Sequence, residues 1–174
     1  MKLDEYQTGA RSTAIYPDKL YYPTLGLVGE LGELITAVRS DPLEIPKELA
    51  DCLWYVANLA ADADLTLSEV CNRQNFPTKW HASCYSWTYN ELAELWIAMG
   101  QIGESVKKTI RDNDSVLTDT RRAVIKKALR EVMLNLTCFA IDNMVVLEQC
   151  AIENLEKLRS RQERGVIKGD GNAR

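Results

Sequence analysis

Histidine is almost missing from this chain of 174 residues: His81 stands alone. One imidazole supports no zinc site, and carboxylate-bridged di-iron bundles need a Glu-x-x-His in each half, so both classes fall away. An excess of basic residues is missing too. The formal net charge of −4 argues against a general nucleic-acid binder, which is normally basic. No run of eighteen apolar residues exists, so no membrane span is expected, and the opening residues 1–7 (MKLDEYQ) lack the apolar core of a signal peptide. Five cysteines form an odd set without a CxxC pair. Four of them (Cys52, Cys71, Cys138 and Cys150) fall in apolar helical patterns, where a buried thiol is ordinarily reduced, which predicts a reducing cytoplasm. Period-two runs of Val, Ile and Thr are lacking as well, so the expected fold is all-α. With 46 % apolar and 26 % charged residues, the chain has the composition and length for one globular domain with a real core.

What is present in quantity is acid at helical spacing. Glu30 and Glu33 stand three apart, and so do Glu48 and Asp51 in the segment 47–51 (KELAD). On a helix each pair shares a face, where like charges cost roughly 0.2–0.5 kcal/mol. Two helices bringing their pairs together raise the repulsion, and a hard divalent cation such as Mg²⁺ or Mn²⁺ relieves it through oxygen ligands. One such pair alone reads as a solvated helix face, but two pairs beside a glycine row read as a metal cage. Gly26, Gly29 and Gly32 recur every third residue. Each costs a helix about 1 kcal/mol against alanine, so the row predicts a close approach by a helix or a ligand.

Periodicity predicts helices over about 3–15, 24–39 and 46–63, with a short fourth from the Thr66–Glu69 capping box to near Phe76. Leu25, Val28, Leu31, Ile35 and Val38 mark the expected core stripe of the second. In the third, Leu49, Leu53, Val56 and Ala60 face the core, while Glu48, Asp51, Tyr55 and Asn58 share another face. Residues 77–89 form an irregular connection in which His81 is an exposed loop residue.

The pattern then returns. Residues 100–104 (GQIGE) echo 29–33 (GELGE) 71 residues on, and 127–140 echo 47–60 at a distance of 80. Cys150 with Asn154 and Leu155 echoes Cys71 with Asn75 and Phe76 at 79. Two copies rather than many predict a fused pseudo-dimer: 1–76 carries the metal carboxylates, 77–89 connects, and 90–174 is a degenerate repeat. In the second copy Gln101 replaces Glu30 and Ala128 replaces Glu48, while Glu104 and Glu131 remain acidic. Bases gather there instead, in Lys157, Arg159 and Arg161. One composite site follows, with metal held by the first half and polyphosphate charge met by the second.

At these residues the sequence resembles the MazG-like all-α NTP pyrophosphohydrolase superfamily, which includes dimeric dUTPase and dCTPase relatives. The ExxE, spacer, ExxD pattern stands as Glu30, Glu33, Glu48 and Asp51. Residues 4–7 (DEYQ) with 22–33, and 154–161 (NLEKLRSR) with 163–174, look like the family's two ends. The resemblance covers nearly the whole chain and is weakest over 76–91. It implies Mg²⁺-dependent cleavage of a nucleoside triphosphate, preferably a dNTP, into monophosphate and pyrophosphate, with Mn²⁺ as the alternative ion. Either Glu30 or Glu33 takes the proton of the attacking water. Lys157 and Arg161 hold the outer phosphates, Asn154 makes a polar contact to substrate, and Tyr55 lies near the nucleoside. Tyr21, Tyr22 and Trp54 are weaker candidates, and the tail at 168–172 is a candidate cover over the phosphates. No nucleic acid or membrane partner is expected, and the fused repeats give either a self-sufficient bundle or two chains that pair further as a homodimer. The rival reading is a non-catalytic nucleotide sensor of the same fold.

Overall fold

A computed structural model describes residues 1–17, 19–78 and 89–166, the side chains of 89–91 excepted. Among the described residues seven α-helices follow one another: α1 (Leu3–Ser12), α2 (Tyr21–Ser40), α3 (Ile45–Asp62), α4 (Leu67–Cys71), α5 (Tyr89–Asp112), α6 (Asp119–Asp142) and α7 (Leu147–Glu163). A 3₁₀ turn over Pro42–Glu44 joins α2 to α3, and no strand occurs among the described residues beyond one isolated bridge between Lys2 and Asn75. The fold is all-α, as the periodicity indicates. His81, Cys84 and the tail at 168–172 lie outside the described residues.

Local chemistry sets the helix limits. Asp4 and Glu5 in the first turn of α1, and Arg11 in its last, complement the helix dipole. Pro46 sits in the first turn of α3, where its missing N–H costs nothing. The Thr66 hydroxyl accepts from Glu69 N at 3.2 Å, while Thr66 N donates to the Glu69 carboxylate at 2.9 Å. This box opens α4, but Asn72 in the left-handed conformation (φ 52) closes it at Cys71 rather than near Phe76. Thr66→Ala is expected to cost about 1 kcal/mol and lower Tm by roughly 2–4 °C in a thermal melt.

Two antiparallel helix pairs, α2 with α3 and α5 with α6, pack on each other through α2–α5 and α3–α6 contacts. Outside this bundle α1 and α7 both lie along α3, which therefore touches more helices than any other. Leu49, Leu53, Val56 and Ala60 are buried in α3 as expected. The stripe of α2 is different: Leu27, Leu31 and Leu34 face the core, whereas Leu25 is 67 % exposed and Val28 and Val38 are also exposed. This helix carries aliphatic residues on two sides, so the 3.6-residue period fits two stripes that share only Leu31.

The early motif residues prove to be structural. Gln7 donates from Nε2 to Leu65 O at 2.9 Å and accepts from Leu67 N at 3.0 Å, which locks the turn between α3 and α4. Asp4 accepts from Ser68 N at 2.8 Å at the start of α4. The corresponding turn after α6 has the same backbone form. Leu65 N donates to Ala60 O at 2.9 Å and Val145 N to Ala140 O at 2.8 Å, with Asp64 (φ 55) and Met144 (φ 57) left-handed in each. Cys52, Cys71 and Cys150 are free and buried. Cys138, however, is disulfide-bonded, against the expectation of reduced thiols. Chain spacing does not reveal which sulfurs fold within reach of each other.

Candidate functional site

The glycine row is where α2 and α3 are fitted together. A Cβ on Gly26 would overlap Cε1, Cζ and Cδ1 of the Tyr55 ring, so only glycine admits that ring against α2. Gly29 and Gly32 have no neighbour within 4 Å of a Cβ position, so the expected close approach holds at Gly26 alone, and there it is a side chain that approaches. One turn beyond Gly26 the acids begin.

Carboxylate oxygens of Glu30, Glu33 and Glu48 all lie within 4.8 Å of one another. Their environments differ: Glu33 is exposed, Glu30 half-buried, and Glu48 only 4 % exposed. The Lys47 ammonium holds Glu48 Oε1 at 2.7 Å and Glu44 Oε2 at 2.6 Å. Glu48 Oε2 is left buried without a hydrogen-bond partner. A buried carboxylate oxygen with no donor is costly, and beside two further carboxylates it fits a cation better than it fits a hydrogen bond. The donor set is all oxygen, which suits Mg²⁺ or Mn²⁺ and not a soft metal.

Crowding shows in the titration of Glu30, which is pushed up to about 7. Burial is the largest cause, followed by the charges of Asp51, Glu33 and Glu48, while the Lys157 ammonium draws it back. The folded chain thus holds this proton more tightly than the unfolded chain does. Stability is full below the ordinary carboxylate value of 4.5 and is lost as pH rises through about 7. In chelator, Tm is expected to fall between about pH 5 and pH 8, and saturating Mg²⁺ should flatten that fall. A melt in chelator that does not change over the range contradicts the crowding.

Asp51, the fourth expected ligand, is not among the three whose oxygens all lie within 4.8 Å of one another, yet its charge acts on Glu30 more strongly than that of Glu33 or Glu48. It faces α7, where Asn154 Nδ2 donates to its Oδ1 at 2.6 Å and Lys157 Nζ lies 2.7 Å and 3.0 Å from its two oxygens. Asn154 is 2 % exposed, and its Oδ1 is a second buried acceptor without a partner. Arg161, one turn further on, is buried in the same helix. Side chains of α7 therefore reach an acid of α3. On α5, Glu104 is exposed and pairs with Lys107 and Lys108.

Beside the acids stands a ring of aromatics that the sequence shows only in part. Tyr16 stacks on Tyr22 with centroids 4.7 Å apart, Tyr22 meets Tyr55 at 6.3 Å, and Trp54 packs edge-on against Tyr55 at 4.9 Å and Tyr16 at 6.2 Å. The ring is pinned from behind. Trp54 Nε1 donates to the Thr13 hydroxyl at 2.9 Å, and Arg11 pairs at 2.9 Å with Asp62, whose carboxylate also accepts from Tyr16 at 3.1 Å and Leu20 N at 2.9 Å. Burial, then the neighbouring Tyr22 and Glu30, raises the Tyr55 hydroxyl well above its usual range, so it stays protonated. Asp62 carries no spacing signal, since it lies more than forty residues from Arg11, Tyr16 and Leu20.

Comparison with known proteins bears on the same segment. Residues 23–75 match the MazG nucleotide pyrophosphohydrolase domain. A stretch of 93 residues is 38 % identical to the Gene 37 protein of Mycobacterium phage L5, covering 42 % of this chain and 82 % of that protein. No solved structure matches this chain. No helix among the described residues is long and apolar enough to cross a membrane.

Proposed function

This chain belongs to the MazG nucleotide pyrophosphohydrolase domain family, and we propose that it hydrolyses a nucleoside triphosphate, preferably a dNTP, to the monophosphate and pyrophosphate. The observation that carries this reading is the close set of Glu30, Glu33 and Glu48, with the buried Glu48 Oε2 lacking a partner. Glu30, Glu33, Glu48 and Asp51 would hold the cation, Mg²⁺ or Mn²⁺. Bound there, a divalent cation supplies neutralisation of the polyphosphate and acidification of water. The chain does the rest. Glu30 or Glu33 accepts the proton of a water attacking the α-phosphorus, and the α–β anhydride bond breaks as pyrophosphate departs. Lys157 and Arg161 on α7 meet the charge of the outer phosphates, and Asn154 orients the polar edge of the site. Tyr55, fixed by Gly26 and flanked by Tyr22, offers an apolar wall for the nucleoside.

The two-repeat organisation belongs to this proposal, with 1–76 as the metal half and 90–174 as the phosphate half. The matched turns after α3 and α6, 80 residues apart, support it.

The test is incubation with Mg²⁺ and each standard dNTP, NTP and dUTP, following pyrophosphate and orthophosphate separately. Pyrophosphate from a subset of nucleotides is the expected result and ranks bases and sugars together. Metal-dependent nucleotide binding with no release, in Mg²⁺ and in Mn²⁺, replaces the enzyme with a sensor.

A further inference from the structure

Lys157 occupies a place that conflicts with its proposed task. A lysine that meets the outer phosphates has its ammonium free to do so, yet here Nζ sits on both oxygens of Asp51, at 2.7 Å and 3.0 Å. Asp51 in turn is a cation ligand in the pattern and acts strongly on Glu30, yet both its oxygens are taken by Lys157. Each group satisfies the other, and neither performs the role that the proposed reaction gives it. The pair is only partly exposed, with side-chain exposures of 27 % and 22 %, so water does little to weaken it.

We propose that the Asp51–Lys157 ion pair is an exchange switch that couples cation binding to polyphosphate binding. This rests on the metal-and-triphosphate reading of the site. At rest, Lys157 supplies Asp51 with its positive charge. When a cation and a polyphosphate arrive together, Asp51 passes to the cation and the Lys157 ammonium passes to phosphate oxygens. The exchange conserves charge pairing at every group, and each ligand removes the obstacle to the other. A cation alone must displace an ammonium that has nowhere to go, and a polyphosphate alone must pull that ammonium from a carboxylate left bare. Asn154 does not join the exchange. Buried at the α3–α7 contact with Nδ2 2.6 Å from Asp51 Oδ1, it holds the carboxylate in position in both states. Linkage makes the effect reciprocal, so the factor by which one ligand tightens the other is the same in both directions.

The test uses binding, not turnover. Mn²⁺ affinity is measured by electron paramagnetic resonance with and without saturating pyrophosphate, corrected for the soluble Mn²⁺–pyrophosphate complex, and pyrophosphate affinity by calorimetry. In the unmodified protein, each ligand is expected to tighten the other by about tenfold or more. Lys157→Met should change the two affinities in opposite directions. Mn²⁺ alone binds several-fold tighter, pyrophosphate binds more weakly, and the mutual enhancement falls close to one. Lys157→Arg keeps the charge and should keep the coupling. If Lys157→Met binds Mn²⁺ no tighter than the unmodified protein, Lys157 is a fixed phosphate contact and the switch is overturned. If both affinities weaken, Lys157 merely supports the site, which also overturns it. Should Lys157→Met fail to fold by circular dichroism, the switch stands or falls on enhancement in the unmodified protein and in Lys157→Arg. The two proposals fail separately: coupling without pyrophosphate release from any nucleotide removes the enzyme and leaves the switch, and release without coupling does the reverse.

Discussion

Glu33→Gln is expected to lower metal-dependent pyrophosphate release by about 10²–10⁴-fold and to leave the protein as stable as before, or slightly more so. The rate loss follows from either role open to this residue. Removing a positioned general base, or one charge from a preorganised electrostatic site, typically costs that much. The stability forecast has the opposite sign because Glu33 is exposed and stands among like charges of Glu30 and Glu48. Amide replaces carboxylate without a change of shape, so the substitution removes repulsion and disturbs no core contact. Release rates with Mg²⁺ and a thermal melt in chelator test both halves. A variant retaining more than a tenth of the rate would place the chemistry elsewhere. A variant whose Tm drops by many degrees would make the cluster structural.

The second large effect lies at Gly26. Gly26→Ala puts a methyl group into the Tyr55 ring, which Trp54 and Tyr22 hold in place, so the ring cannot turn aside freely. Overpacking of this kind costs about 1–3 kcal/mol, against about 1 kcal/mol gained by replacing a helical glycine. The net expectation is a loss of stability together with a displaced Tyr55 wall, and hence a higher KM. Gly29→Ala and Gly32→Ala meet nothing and should each gain up to about 1 kcal/mol. Three glycines in one row thus divide by sign in a melting series. At the sequence offsets of 71 and 80 residues, Ile97 stands opposite Gly26 and Asn135 opposite Tyr55. Gly26→Ala combined with Tyr55→Asn should recover much of the lost stability, which a double-mutant cycle measures.

Much of this was legible in the sequence, for identifiable reasons. Helices declare themselves by period and by caps such as Thr66–Glu69, and acids three apart announce a shared face whatever the tertiary fold. The core side of α2 was not legible, because an aliphatic-rich helix satisfies the period in more than one way. Gly26, Gly29 and Gly32 look alike as letters, and only Tyr55 arriving from α3 distinguishes the first. The position of Lys157 was hidden for another reason. Composition showed that bases gather in the second half, but which carboxylate they meet depends on how α7 lies along α3. Arg11, Tyr16 and Asp62 pin the aromatic ring through contacts made across α1 and α3, and no local spacing foreshadows such a set.

The distance along the chain between Asp51 and Lys157, 106 residues, has a bearing on synthesis. The chain is made from its first residues onward. The α2–α3 pair, with all four acids, is therefore complete long before α7 has been translated. During that interval Asp51 has neither the ammonium of Lys157 nor the amide of Asn154, and α3 lacks the helix that covers one of its sides. A nascent chain stalled after α6 carries Asp51 without either of its α7 partners, while Lys47 already meets Glu48.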